Sequence, residues 1–178
     1  SVLLLPGCRT QSNLRDAAQP PPPHGIHYTS EPMTIDGKLD EPAWDQAALL
    51  PFFVYQEHHE PISLTQAGML WDDQYLYVGF RTEDKDLYGY FQDRDASTAS
   101  EDVLEIFFNT HPERTAYYNF EINALGTVYD AYSPQWAFAG HTHRWKRWNC
   151  EGLKIGIQIR GTLNQWKDVD EGWDLEVA

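Results

Sequence analysis

Carboxylates and amides spaced two apart carry the most chemical promise in this sequence. Across residues 101–133, EDVLEIFFNTHPERTAYYNFEINALGTVYDAYS, Glu105 and Asn109 share parity in one run, as do Asn119, Glu121 and Asn123 in the next. Side chains two apart in a strand leave the same face, so each run would gather its polar groups on one side and its apolar groups on the other. A face of carboxylates, amides and tyrosines suits hydroxyl-rich ligands, because planar polar side chains fork onto adjacent hydroxyls. Glu105 and Glu121 on neighbouring strands are also the equipment of a glycoside hydrolase, which needs its carboxyl groups about 5 to 9.5 Å apart and one of them with a raised pKa. The plainer alternative is the solvated outer face of a half-buried sheet.

The elements that must position these groups follow from alternation. Leu104, Ile106 and Phe108 alternate with Val103, Glu105, Phe107 and Asn109, and the polar break at 110–115 contains Pro112, which predicts a hairpin. Tyr118, Phe120, Ile122 and Ala124 then alternate with the amide-bearing set, and Leu125-Gly126-Thr127 turns the chain into a third strand at 128–132. With the apolar sides in one core, Glu105 and Asn109 fall on the same open face as Asn119, Glu121 and Asn123. Further strands are expected at 52–56, 64–71, 74–81 and 153–160, with another starting at Trp173. Asp36-Gly37 suits a tight turn and Pro42 the first turn of a helix.

Thirteen basic residues against 27 acidic ones give a net charge of -14, which repels a phosphate backbone or an anionic membrane surface. Nucleic acid is therefore excluded as a partner. The 178 residues fit one domain plus a tail, and seven Trp with ten Tyr bring aromatics to 14%. Two cysteines, Cys8 and Cys150, do not make a disulfide scaffold. Phosphate loops, nucleophile elbows, HExxH and CxxC motifs are missing, which favours a binding module over an enzyme.

The run MTIDGKLDEPAWDQA from Met33 to Ala47 resembles the opening signature of the family 9 carbohydrate-binding modules and their bacterial relatives. The phrase WDDQYLYV from Trp71 to Val78 is similar to the same family, and residues 100–108 and 117–130 match its central strands, so the resemblance spans about 32–178. It implies an all-β, antiparallel jelly-roll-like β-sandwich with a short helical turn near the N-terminus and an inward Trp44. It also implies non-catalytic binding of a poly- or oligosaccharide, beside glycan-degrading enzymes. Well-understood members grip a sugar end between two Trp rings with an Arg and a Glu. By resemblance that Glu is Glu105, while the Arg position falls on Glu121 and the upstream Trp position on Ala99.

For ligand contact the expected residues are Glu105, Asn109, Glu121 and Asn123 on the polar face, with Trp136, Trp145 and Trp148 from the unpatterned loop at 134–150 for stacking on sugar rings. Each of these Trp has an alternative place as a plug over the sandwich edge. Trp44, Trp71 and Trp173 are expected in the core. Structural calcium occurs in the family, and Asp168, Asp170 and Glu171 are the chosen ligands over the pairs Asp84/Asp86 and Asp93/Asp95. Related DOMON-type sandwiches hold haem b between Met and His, for which Met69, His141 and His143 are available. A protein-interaction surface is the other competing function.

The first eight residues, SVLLLPGC, resemble the end of a lipoprotein signal, which would make Cys8 a lipid anchor and the only link to a membrane. Residues 9–30 contain four consecutive prolines, Pro20 to Pro23, and read as an extended tether. Residues 31–178 form the module, whose relatives continue beyond this C-terminus. The expected setting is a bacterial envelope.

Overall fold

The computed structural model describes residues 25–49, 64–111, 116–133 and 148–178. Cys8, expected as a lipid anchor, most of the expected tether, the strand expected at 52–56, and Trp136, His141, His143 and Trp145 lie outside the described residues.

The described strands are β1 (His27–Tyr28), β2 (Ala48–Leu49), β3 (Thr65–Trp71), β4 (Leu76–Glu83), β5 (Val103–Phe108), β6 (Tyr117–Asn123), β7 (Val128–Ser133), β8 (Ile155–Arg160) and β9 (Gly172–Val177). They form two sheets. The larger has the order β1-β3-β4-β9-β8 with β2 also on β3, and the smaller is β5-β6-β7. Every pairing is antiparallel except β1 with β3. The two-sheet sandwich and the short 3-10 turn at Pro42–Gln46 are as the sequence implies.

Alternation fixes the core. Met69, Val78, Leu175 and Val177 come from the larger sheet and Ile106, Phe120 and Ile122 from the smaller, in one buried cluster. Burying each such side chain contributes about 1.5 to 3 kcal/mol, and a one-residue slip of any strand would turn its whole set outward. Trp173 is buried in this core as expected, and Trp44 packs against a smaller cluster with Ala43, Leu70 and Tyr77. Trp71 differs from expectation. At the end of β3 it is 44% exposed, donates its indole N–H to the Ile26 carbonyl at 3.1 Å and meets Tyr28 edge-on at 5.0 Å. These contacts hold β1 against the sheet, inside the stretch that composition reads as tether, because parallel pairing of two residues leaves no alternation to detect.

The outer face of the larger sheet is half covered. The turn at Asp36-Gly37 lies flat on β8, where Gly37 has φ +87° and an added Cβ at Gly156 would come within 2.3 Å of the Gly37 nitrogen. Beneath it the buried Glu176 accepts N–H bonds from Asp36 (3.0 Å), Gly37 (2.8 Å) and the Trp44 indole (3.0 Å). Burial pushes the Glu176 carboxyl up and these three donors pull it back.

Candidate functional site

The outer face of the three-stranded sheet assembles the expected polar row. Register places Glu105 directly across from Glu121, and Glu121 directly across from Tyr129, so one row crosses β5, β6 and β7. The adjoining row is Phe107, Asn119 and Ala131. Opposed side chains in such rows stand about 4.5 to 5.5 Å apart at Cβ, close enough to contact one ligand together.

The members differ in environment. Glu105 is open to solvent, whereas Glu121 is only 8% exposed and accepts the Thr98 hydroxyl from the 3-10 turn Thr98–Ser100 lying over the sheet. Crowding by the surrounding protein raises the Glu105 carboxyl, and the charge of Glu121 and a hydrogen bond to it act in the same direction. Burial likewise raises Tyr129, followed by the charges of Glu121 and Asp95. Phe107 is 52% exposed beside Glu105 and tilts against Tyr117 with centroids 5.8 Å apart. The buried Nδ2 of Asn119 makes no hydrogen bond among the described residues. The face therefore offers a flat apolar ring at Phe107 beside the exposed carboxylate of Glu105, with Glu121 and the Asn119 amide nitrogen sunk beneath them. That combination holds a ligand with alternating C–H faces and hydroxyls.

Of the residues expected from sequence, Glu105 and Glu121 are brought together. Asn109 lies just past β5, exposed, its Oδ1 accepting the His111 N–H at 2.9 Å. Asn123 has the right parity but is fully buried under residues 91–101. Its Nδ2 donates to the Phe91 carbonyl (2.9 Å) and to Glu101 (2.8 Å), and its Oδ1 accepts from Leu125 (3.1 Å) and Thr127 (2.8 Å). It clamps a turn. Trp148 packs on the opposite side of the sheet, against Tyr118 at 4.8 Å and Phe120 at 5.9 Å, as a plug of the core. Phe107 and Asn119 share the parity of Glu105 and Glu121, so the period-2 rule that found the glutamates also points to them.

The carboxylates also speak to catalysis. Glycosidases set their two carboxyl groups at least about 5 Å apart around the scissile bond. Here Glu105 and Glu121 stand directly opposite each other on adjacent strands, and Glu121 is buried and accepts the Thr98 hydroxyl, so the pair does not flank an open space for a scissile bond. The expected calcium ligands are not assembled. Asp168 and Glu171 are exposed, while Asp170 turns inward and binds the backbone N–H of Leu87 (2.8 Å) and Thr162 (2.7 Å). Among the described residues no group of three or more His, Cys, Asp or Glu is placed to hold a metal ion. Met69, the haem ligand considered from sequence, is buried in the sandwich core.

A family model described as "Carbohydrate family 9 binding domain-like" matches residues 35–146. The chain belongs to that family. It is one of binding domains, in keeping with the expectation of a binding module rather than a catalyst. The fold is shared with a family 9 carbohydrate-binding module from Caldicellulosiruptor kristjanssonii solved with cellotriose, at 18% identity and TM-score 0.52, covering 85% of this chain and 64% of that one. The structure of such a module from that organism with glucose gives the same identity and TM-score, over 85% and 66%. A candidate carbohydrate-binding protein from Bacteroides uniformis matches at 11% identity and TM-score 0.60, over 85% and 69%. This chain thus spans just under two thirds of the Caldicellulosiruptor proteins. No curated protein matches it.

Proposed function

We propose that this family 9 domain binds a neutral oligosaccharide non-catalytically on the outer face of β5, β6 and β7. The observation that carries the reading is the row Glu105–Glu121–Tyr129 beside the exposed ring of Phe107. Glu105 accepts from a sugar hydroxyl, Phe107 lies against the C–H face of a pyranose, and Glu121 backs Glu105 from beneath. The Caldicellulosiruptor modules, solved with cellotriose and with glucose, support gluco-configured sugars as the first class to try. The finer setting belongs to the same proposal: a bacterial envelope, anchorage through Cys8, a proline-rich tether, and glycan-degrading enzymes nearby.

Calorimetry with cellotriose, xylotriose and glucose tests it. Removing the ring in Phe107→Ala is expected to weaken trisaccharide binding about tenfold, as loss of roughly 1.4 kcal/mol of aromatic contact would. Glu105→Ala should weaken it further, since a sugar hydroxyl then loses a charged acceptor. Failure of all three sugars to bind, or unchanged affinity in both variants, sinks the reading.

A further inference from the structure

We propose a second saccharide site, on the outer face of the larger sheet and thus on the opposite side of the sandwich from Glu105. The N-terminal segment covers only the part of that face where Gly79 and Gly156 allow close packing. The remainder is an open cleft of about 810 Å³, lined by Leu64, Gln66, Arg81, Arg160, Asp174 and Glu171 among others. That volume lies within the roughly 300 to 1,000 Å³ of small-ligand sites.

The cleft floor is built rather than incidental. Gln66, Arg81 and Asp174 form one row across β3, β4 and β9. Asp174 is buried and holds two guanidinium groups, Arg81 through Nε at 3.1 Å and Arg160 through Nη1. Arg160 is fixed further by the Thr82 carbonyl at 3.0 Å. Arg81 is therefore oriented from below, while its two terminal nitrogens have no partner among the described residues. The Gln66 amide beside it is likewise without a partner there. A guanidinium and an amide held side by side present several donors in a plane, the geometry that forks onto neighbouring hydroxyls.

Charge selects the class of ligand. The lining carries six acidic residues, Glu83, Asp84, Asp86, Asp170, Glu171 and Asp174, against Arg81, Lys85 and Arg160, so an anionic sugar meets net repulsion. A cation meets the guanidinium groups of Arg81 and Arg160 on the cleft floor, and among the described residues no group of three or more His, Cys, Asp or Glu is placed to hold a metal ion. A neutral sugar satisfies both, because each hydroxyl donates to the rim carboxylates and accepts from Arg81 and Gln66. Leu64, exposed just before β3, and the aliphatic stem of Arg81 supply an apolar wall for ring C–H groups.

The site is tested independently of the first one by following the Arg81 Nε–H and Gln66 side-chain amide resonances of the ¹⁵N-labelled chain. The probes are cellotriose, xylotriose and mannotriose, with trigalacturonate and a chitosan trimer as charged comparators. At least one neutral trisaccharide is expected to shift these resonances in the wild type and equally in Glu105→Ala/Phe107→Ala, with the Gln66 amide shift lost in Arg81→Gln. Because Arg81→Gln removes a partner of buried Asp174, Gln66→Ala serves as a second variant that keeps the ion pair, and it should weaken binding severalfold. The proposal is overturned by unmoved resonances with every neutral sugar, by a stronger response to a charged trimer, or by a response that disappears with the Glu105/Phe107 variant.

Discussion

Glu105 holds its proton more tightly than an ordinary carboxylate because the surrounding protein crowds it, and the charge of Glu121 directly opposite adds to the effect. A carboxyl raised in the folded state stabilises the fold below the ordinary carboxylate range, and that contribution disappears as pH rises through the folded pKa. Glu105→Gln is thus expected to stabilise the protein by about 0.5 kcal/mol at pH 7, the scale of a like-charge pair directly across two strands, and to have no effect near pH 3. Chemical denaturation at both pH values checks this. Asp102 behaves likewise: burial raises it to about 6, with Asp84, Asp86 and Glu101 adding to the shift against the Tyr88 N–H it accepts. Its contribution is complete below about pH 4 and gone by pH 7, on the order of 2 kcal/mol. Asp102→Asn should flatten that part of the stability profile, and a carbon-detected titration of Asp102 should show a midpoint near 6. At this scale parity was legible and cover was not. The same alternation placed Glu105 and Asn123 on one face, but only the packing of residues 91–101 shows that Asn123 is buried.

The strands themselves were largely readable, since Leu76, Val78 and Phe80, or Leu104, Ile106 and Phe108, alternate without interruption. Contacts between distant elements were not, because glycine carries no pattern of its own. Gly156 is interior to β8, and nothing nearby in sequence announces that Asp36-Gly37 will rest on it. An added methyl there meets backbone at 2.3 Å, with no flexible side chain to yield. Gly156→Ala is therefore expected to cost about 3 kcal/mol, the upper end for overpacking, and to loosen the Trp44 indole from Glu176. Thermal melts and the Trp44 Nε1–H resonance would register it. Trp44→Phe keeps an aromatic ring but leaves part of the indole's space empty and deprives buried Glu176 of one donor, so a loss of about 1 to 3 kcal/mol should follow.

For the whole molecule, the excess of acidic residues and the two proposed faces bear on the same question. A neutral glycan contributes no charge, so its affinity should change by less than about twofold between 50 and 500 mM salt, whereas any residual binding of a polyanion would rise as screening removes repulsion. Calorimetry across that range separates the two. Two sites on opposite faces would let one molecule bridge two chains, which the sequence did not suggest because Gln66, Arg81 and Asp174 come from strands far apart in order. Composition and motifs did convey the class of fold and the family.

Strand β9 lies between β4 and β8, and its Glu176 grips a turn 139 and 140 residues earlier. On a ribosome adding about 5 to 20 residues per second, Gly37 waits on the order of ten seconds for that partner. Through that interval β4 keeps a bare hydrogen-bonding edge and the larger sheet cannot close. Closure of the larger sheet is thus tied to the arrival of residues 172–177, and until they have emerged the nascent chain presents chaperones and proteases with an unpaired strand edge.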